Sequence, residues 1–339
     1  MAHRRADAAP LASIRSLAIN PAAPKAVRLA HISDVHVTAP ECVWRREDWF
    51  NKRLSAWINL RLLGRGYRFR RADHVLQVLA EELRHGGFDR IVFSGDASAM
   101  GFEEEVSRAA QLLRVGQPGE MPGIAVPGNH DYCTATAARA GHFERVFAPW
   151  QAGERMDHAV YPFAQRVGHA WLIGVNSSTA NRWPWDARGG VGRDQLRRLE
   201  ELLPRLDAGP RILVTHYPVW LASGRREPRI RALRDLDALV RAAERGGVGL
   251  WLHGHRHNAY YHPPSDFAPF PVVCAGSATQ NGRWSYKVYT LEGYHLRARS
   301  RVYRAKDDRF HDAEAFELDV SGGSEEKRQH FGERGASAP

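Results

Sequence analysis

Five short apolar segments of the chain each end at side chains that carry oxygen or nitrogen. The first segment, Leu29–Ser33, is followed by Asp34 and His36, with one residue between them. The polar residues that follow the other four segments are Asp96, then Asn129 with His130 and Asp131, then His216, and finally His255 with His257. Short apolar runs bounded by glycine or polar residues predict buried strands. The repetition predicts one site assembled at the ends of several strands.

Helical patterns alternate with these strands. Apolar residues recur at helical spacing in four segments, which are Ala72–His85, Glu103–Val115, Gly192–Leu206 and Ile230–Arg245. The C-terminal third predicts further strands at Val272–Ala275, Trp284–Thr290 and His295–Tyr303. Alternating strands and helices followed by a run of strands predict a layered α/β domain. Such sheets place their sites at the carboxyl ends of the strands.

The side chains at the strand ends form a candidate metal-ligand set without thiolates. Its members are Asp34, His36, Asp96, Asn129, His216, His255 and His257. Mixed oxygen and nitrogen donors suit manganese, iron or zinc better than calcium. Seven ligands exceed what one catalytic ion with an open position needs, and they suit two ions ~3.5–4 Å apart that share a carboxylate. We expect Asp96 to be the shared ligand because it stands alone at its strand end.

Residues 41–71, between the first two of these strands, show a different pattern. Bulky apolar residues at positions 50, 54, 57 and 58 predict one face of a helix. Basic residues surround or follow this face, namely Lys52, Arg53, Arg61, Arg65, Arg68, Arg70 and Arg71. One interpretation is a helix that lies at an anionic membrane surface through residues 44–71. The other is a helical insertion whose apolar face packs on its own domain while its arginines are solvated.

Composition narrows the class of protein only slightly. The 339 residues carry a formal net charge of +10, which favours anionic partners such as phosphates or an anionic membrane surface. The apolar face of the insertion argues against nucleic acid. Three separated cysteines and a basic N-terminus without an apolar run favour the cytoplasm, with peripheral attachment to the inner membrane as an option. We expect an irregular segment over 1–26, one domain over 27–318 and a disordered tail over 319–339.

The order and neighbours of the candidate ligands resemble the calcineurin-like metallophosphoesterase superfamily. The matching motifs are Asp34-Val-His36, Gly95-Asp96, Gly128-Asn129-His130-Asp131, the lone His216 and Gly254-His255-Arg-His257. The resemblance implies a four-layer αββα sandwich with a helical insertion after the first strand. It implies a hydrolase that cleaves a phosphodiester or pyrophosphate bond with a hydroxide that bridges two divalent ions.

The resemblance also implies a role for each matched residue. One ion would be held by Asp34, His36 and His257, the other by Asn129, His216 and His255, with Asp96 between them. His130 would be catalytic, facing the substrate to stabilise the transition state or to protonate the leaving oxygen. Asp131 would be catalytic by orienting the His130 ring. His31 is expected to pack in the interior, and His253 to lie beside the ligands without binding metal.

Three substrate hypotheses follow from the same motifs. The basic, aromatic insertion is similar to those of bacterial members that act at membranes, which suggests a lipid-linked substrate such as UDP-2,3-diacylglucosamine. The more familiar hydrolase of that compound carries Asn-Arg in place of Asn129-His130, so this chain would belong to another branch. A soluble phosphodiesterase for cyclic nucleotides or small diesters is the alternative. A non-catalytic scaffold is disfavoured because no ligand is missing.

Overall fold

Two mixed six-stranded sheets form the centre of the protein. A computed structural model describes residues 25–183 and 185–322. The expected irregular segment therefore lies outside the described residues up to position 24, and the expected tail lies outside them from position 323. Within the described part, Lys25 and Ala26 have no regular structure.

The first sheet has the strand order β12-β11-β10-β1-β2-β3. β1 pairs in parallel with β2, and β2 with β3, whereas β10, β11 and β12 are antiparallel additions. Its strands, in chain order, are β1 (Val27–Ile32), β2 (Arg90–Phe93), β3 (Gly123–Ala125), β10 (Ser285–Glu292), β11 (His295–Arg304) and β12 (Arg309–Asp319).

The second sheet has the order β4-β5-β6-β7-β9-β8. Its central strands β5, β6, β7 and β9 are parallel, and the two outer strands are antiparallel. The strands are β4 (Phe163–Val167), β5 (Ala170–Gly174), β6 (Arg211–Val214), β7 (Leu250–His253), β8 (Ala259–His262) and β9 (Val272–Ala275). The predicted ligands thus follow three neighbouring strands of the first sheet and two neighbouring strands of the second.

Helices cover the outer faces of both sheets. Within the described residues they are α1 (Lys52–Arg61), α2 (Arg65–Arg68), α3 (Ala72–His85), α4 (Glu103–Leu112), α5 (Ala135–Ala140), α6 (His142–Val146), α7 (Arg193–Leu202) and α8 (Leu236–Arg245). Short 3-10 helices occupy Arg46–Phe50, Ala148–Trp150 and Leu203–Arg205. None of the helices in the described ranges is both long enough and apolar enough to cross a bilayer.

The apolar core is divided into layers, as the predicted αββα sandwich requires. One buried cluster lies between the two sheets and includes Leu29 of β1 and Leu252 of β7. A second cluster joins α3, α4 and α6 to the first sheet, and a third joins α7 and α8 to the second. Leu76, Leu79 and Leu83 of α3 are almost fully buried at the spacing that the apolar pattern predicted. The expected fold class is confirmed.

Several predicted boundaries are wrong for identifiable reasons. The helix expected from Ile230 begins at Leu236, because Ile230–Asp235 bonds to the loop before α7: the Ile230 carbonyl accepts from Ala187 and the Ala232 carbonyl accepts from Gly189. The pattern missed β12, an edge strand whose side chains are largely exposed. The tail cannot begin at 319, because β12 ends there and Val320 is buried.

The insertion folds as a helix, but with a different buried face from the predicted one. Phe50 was predicted to lie on the buried face of this helix. It belongs instead to the preceding 3-10 helix, and its side chain is 91% exposed. Trp57 is half-buried and packs, with Ala56 and Leu60, on a small cluster formed by Ala99, Met100 and Phe102. Part of the insertion therefore packs on its own domain.

Candidate metal centre

The candidate ligands lie where the parallel strands of both sheets end, and their backbone is strained. Non-glycine residues rarely adopt positive φ, and doing so costs free energy of order 1–3 kcal/mol. Five candidate ligands have positive φ, namely Asp34 (53°), His36 (44°), Asp96 (60°), His255 (72°) and His257 (56°). Strain at this edge of the sheets turns side chains from separate strands toward one point, which is typical of a functional site.

Four of the side chains form a compact group that could hold a metal ion. Ligand atoms of Asp34, His36, Asp96 and His257 all lie within 4.8 Å of one another. The Nε2 atom of His257 is 3.1 Å from Oδ1 of Asp34 and 3.0 Å from Nε2 of His36. This group contains the three residues predicted for the first ion and the predicted shared carboxylate.

The three residues predicted for the second ion also meet. The amide oxygen of Asn129 is 3.2 Å from Nε2 of His216 and 2.9 Å from Nδ1 of His255. Oδ2 of Asp96 lies between the groups, 3.5 Å from Nε2 of His36 and 3.4 Å from Nε2 of His216. One carboxylate oxygen therefore faces an imidazole of each group, as a shared ligand would.

Each of the four imidazoles is held through its other ring nitrogen. A carbonyl or carboxylate oxygen can only accept, so the nitrogen that faces it carries the proton and the remaining nitrogen offers a lone pair. The hydrogen-bonded pairs are His36 Nδ1 with the Ser98 carbonyl (3.2 Å), His216 Nδ1 with the Ser94 carbonyl (2.8 Å) and His257 Nδ1 with the Gln280 amide oxygen. Nε2 of His255 faces Glu227 at an ion-pair distance of 3.3 Å. All four rings are thus set to bind a cation.

The electrostatics of the group fit divalent ions. Oδ1 of Asp34 is buried and accepts no hydrogen bond, and two lone-pair nitrogens of His36 and His257 face each other. Against the opposing effect of burial, neighbouring histidines hold the pKa of Asp34 and of Asp96 well below the usual range, so both are anionic. Burial opposes protonation of His216, yet Asp96 raises its pKa to about 9. The negative charge of Asp96 thus holds a proton on His216, at a position where a metal cation would take its place.

Two motif glycines are required by close packing against the carboxylates. A Cβ on Gly128 would lie 2.0 Å from Oδ1 of Asp96, and a Cβ on Gly254 would lie 2.5 Å from Oδ2 of Asp34. Any side chain at either position would displace a candidate ligand. Because Gly128 and Gly254 have no side chain, the strand ends that carry the candidate ligands can approach each other closely.

His130 lies at the edge of the ligand groups and not within them. Its Nδ1 atom is 2.8 Å from the Ala99 carbonyl, which must accept, so Nε2 carries the lone pair and faces the cavity. Burial, followed by the charge of Arg65, holds the pKa of His130 well below its usual value. The position fits a group that acts on the substrate, as the family resemblance implies.

The predicted role of Asp131 is wrong. Its carboxylate does not contact the His130 ring, which is held by the Ala99 carbonyl. Instead it accepts five hydrogen bonds, from the backbone N–H groups of Asp96, Ala97, Ser98 and Gly128 and from the Ser98 hydroxyl. Asp131 therefore fastens the turn that carries Asp96 to the turn that carries Asn129. Burial and the charge of Asp96 raise the pKa of Asp131 to about 7.

We expect Asp131→Asn to loosen both turns. The amide nitrogen must replace an oxygen that accepts from backbone N–H groups, so at least one buried donor loses its acceptor, at a cost of ~1–3 kcal/mol. Urea unfolding of the metal-free protein should show this loss, and the affinity for metal should fall ~10–100-fold. Asp207→Asn, at an exposed carboxylate, is the control. An unchanged unfolding curve for Asp131→Asn would contradict the role of Asp131 as a clamp.

The two histidines that were not predicted to be ligands, His31 and His253, are both buried. His31 is fully buried, with Nε2 2.9 Å from the Ser94 hydroxyl and Nδ1 3.2 Å from the Tyr289 hydroxyl. His253 is buried with Nδ1 3.0 Å from the Gly254 carbonyl. Neither belongs to the two ligand groups.

Sequence reasoning missed several residues that shape the site. Glu227 and Gln280 orient ligands but stand in loops without a recognisable motif, so no local signal identifies them. Arg65 was counted among the basic residues of the insertion, yet it reaches into the cavity. Arg53 was counted with it, but it is buried and bonds Asp48 and the carbonyls of Met100 and Gly101. Neither of these arginines is a solvated surface residue.

The insertion and the candidate ligands line the same cavity of about 550 Å³. The insertion contributes one wall, which consists of Lys52, Ser55, Ala56, Asn59, Leu63 and Arg65. The same cavity is lined by Asp96, Asn129, His130, His255 and His257, and also by Trp185 and Arg231. A substrate bound at the candidate metals would therefore contact the insertion.

Comparison with known proteins agrees with the fold and the ligand set. Residues 27–259, more than half of the chain, match the family model of the calcineurin-like phosphoesterases. The chain therefore belongs to this family of phosphoester hydrolases. No curated protein matches the sequence.

Solved structures share the fold at low sequence identity. A dimetal phosphatase from Danio rerio has 12% identity and a TM-score of 0.59, over 87% of this chain and 99% of that one. The purple acid phosphatase PPD1 from yellow lupin (Lupinus luteus) seeds has 13% identity and a TM-score of 0.56, over 87% of this chain and 54% of that one. These similarities concern the fold.

The ligand set fits the dinuclear chemistry of the family. Asp34, His36 and His257 would hold one ion, Asn129, His216 and His255 the other, with Asp96 between them. When bound, the ions would supply Lewis-acid activation of a phosphoryl group and of water. The protein itself contributes the fixed imidazoles, the cavity that surrounds the phosphoryl group, and His130 at its edge.

Proposed function

We propose that the chain cleaves a phosphodiester or pyrophosphate bond in a lipid-linked substrate at an anionic membrane surface, using two manganese, iron or zinc ions. A compound of the UDP-2,3-diacylglucosamine type has the required features. The observation that carries the proposal is the continuity between the cavity and an exposed apolar surface. Leu63 and Trp185 line the cavity, yet they are 68% and 66% exposed.

The cationic lining of the cavity favours a diester or a diphosphate over a single small phosphoryl group. Lys52, Arg65, Arg231 and Arg256 all line it, in addition to the candidate ligands. Arg256 is paired with Glu227, and the Lys52 ammonium donates to the Asp186 carbonyl. Arginine and lysine are the usual partners of phosphate oxygens, and several of them suit a substrate with extended negative charge.

The outer side of the insertion has the composition of a membrane contact. Large apolar side chains stand exposed beside exposed arginines, which is what insertion at the boundary between headgroups and acyl chains requires. The apolar members are Phe50, Leu62, Leu63 and Tyr67, and the basic members are Arg61, Arg68 and Arg70. We refer to these seven residues as the outer surface of the insertion. An acyl chain in the membrane would lie beside the mouth of the cavity.

Vesicle co-sedimentation tests the lipid part of the proposal. The metal-loaded protein should sediment with phosphatidylcholine vesicles that contain phosphatidylglycerol, and a variant with Phe50→Ser, Leu62→Ser and Leu63→Ser should partition more weakly, on the order of 100-fold. Trp57 is left unchanged because it packs on the domain. Tyr294→Ser, at an exposed aromatic in the turn between β10 and β11, is the control.

The same experiment decides between this proposal and a soluble phosphodiesterase. The inner side of the insertion packs on the domain through Ala56, Trp57 and Leu60, which also suits a cap over a small diester such as a cyclic nucleotide. If the wild-type protein does not sediment with the vesicles that contain phosphatidylglycerol, the membrane proposal fails. Soluble diesters are then the substrates to assay.

A further inference from the structure

Arg65 is directed from the insertion into the catalytic cavity. It is the first residue of α2 and follows Gly64, whose φ of 79° turns the chain between α1 and α2. The guanidinium nitrogen Nη1 lies 2.9 Å from Nε2 of His130, and Nη2 lies 3.2 Å from Nδ1 of His36. Arg65 is thus in contact with a candidate metal ligand and with the histidine that faces the substrate.

The guanidinium of Arg65 is partly buried and lacks the partners that such a cation needs. Guanidinium offers five N–H donors, and burying it without a counterion is costly. His36 Nδ1 donates to the Ser98 carbonyl, so Arg65 is left with two neutral acceptors, Nε2 of His130 at 2.9 Å and Nε2 of His36 at 3.4 Å. No carboxylate of the described residues lies within 4.0 Å of its nitrogens.

Arg53, in the same insertion, shows what a structural arginine looks like in this protein. Its Nη1 atom is 2.7 Å from the Asp48 carboxylate, its Nη2 atom is 2.7 Å from the Gly101 carbonyl, and its Cζ atom lies 4.0 Å from the centroid of the Phe102 ring. The charge of Arg53 is therefore paired with a carboxylate, its N–H groups have acceptors, and its planar face packs on an aromatic ring. The contrast indicates that Arg53 stabilises the fold, whereas Arg65 is positioned to bind a ligand.

Metal binding would strengthen the need for an anion at this point. Two divalent ions beside Arg65 carry more positive charge than Asp34 and Asp96 can balance. The cavity opens directly onto Arg65, His130 and the candidate ligands, so an anion can reach all of them together. A phosphoryl group has the charge and the acceptor oxygens that this arrangement lacks.

We propose that Arg65 is a substrate-binding residue whose guanidinium donates to a non-bridging oxygen of the phosphoryl group under attack. Contact with the phosphoryl oxygen takes Arg65 away from Nε2 of His130, which is then free to face the leaving oxygen. The insertion therefore takes part in recognising the phosphoryl group itself. This inference rests on the hydrolytic chemistry of the proposed function and does not depend on the lipid portion of the substrate.

Inorganic phosphate is the probe that tests it. Phosphate should inhibit hydrolysis of bis(p-nitrophenyl) phosphate by the metal-loaded protein and should raise its Tm. In Arg65→Ala, the phosphate concentration needed for either effect should rise ~10–100-fold with metal content unchanged, because a charge-assisted hydrogen bond is lost. Arg65→Lys, which keeps the charge without the planar fork, should fall between the two.

Arg139→Ala is the control, since Arg139 is an exposed arginine of α5 that lines neither the cavity nor the outer surface of the insertion. It should leave phosphate affinity near the wild-type value. The inference is overturned if Arg65→Ala binds phosphate as the wild type does, if Arg139→Ala loses as much, if Arg65→Ala loses metal, or if phosphate fails to shift the Tm of the wild type. A wild-type protein that binds phosphate through Arg65 but does not sediment with vesicles would overturn the lipid proposal alone.

Discussion

Asp96→Ala is expected to lose both metal ions and the activity that depends on them. Oδ2 of Asp96 faces His36 and His216, one imidazole from each ligand group, at 3.5 and 3.4 Å. Removing this carboxylate leaves each group with fewer donors and takes away half of the negative charge that Asp34 and Asp96 supply. Because the ions provide several kcal/mol of transition-state stabilisation, kcat/KM should fall by about 10³-fold or more.

The measurement is metal content after dialysis, together with kcat/KM on bis(p-nitrophenyl) phosphate. Asp96→Asn separates charge from structure, because its amide oxygen can still accept from the backbone N–H of His130, a bond of 2.8 Å in the wild type. We expect the asparagine variant to fold and to lose metal as well. Two ions retained by either variant would show that Asp96 is not the shared ligand.

His130→Ala should behave in the opposite way and lose turnover while keeping both ions. The His130 ring is hydrogen-bonded to the Ala99 carbonyl on one side and faces the cavity on the other. It therefore belongs to neither of the two groups of candidate metal ligands. A positioned imidazole that transfers a proton in the transition state contributes typically ~10²–10⁴-fold, and kcat should fall by that factor. Metal content and unfolding should stay close to the wild type.

His295→Ala, at an exposed histidine of β11 at the opposite edge of the sheet, is the control for this variant. It should change neither kcat nor metal content. Loss of metal from His130→Ala would mean that His130 is a ligand. Full activity of the variant would mean that another group acts on the leaving oxygen.

The ligand set could be predicted from sequence because strand ends are a local signal. Each apolar run identifies a buried strand, and parallel strands in one layer bring their carboxyl ends to the same edge. His36 and His257 stand 221 residues apart, yet their Nε2 atoms are 3.0 Å apart. The motif glycines agree with this reading, since Gly128 and Gly254 pack directly against ligand carboxylates.

The contacts of the insertion could not be predicted from its sequence, because different sides of it face the domain, the solvent and the cavity. Helical periodicity identifies a helix near Trp57 but does not tell which neighbours cover it. The tertiary structure places Trp57 against the domain, leaves Phe50 exposed, and directs Arg65 into the cavity. One basic, aromatic segment thus contains a packed side, an exposed side and a cavity wall.

The amino-acid order thus specifies the strands, the residues at their ends and the family, since these depend on local apolar runs and short spacings. Packing decides what each polar group contacts. Asp131 follows His130 in the chain but bonds the turn of Asp96, and Glu227 orients His255 from a distant loop. Such contacts follow from how layers and loops approach one another in space, and no local pattern along the chain encodes that approach.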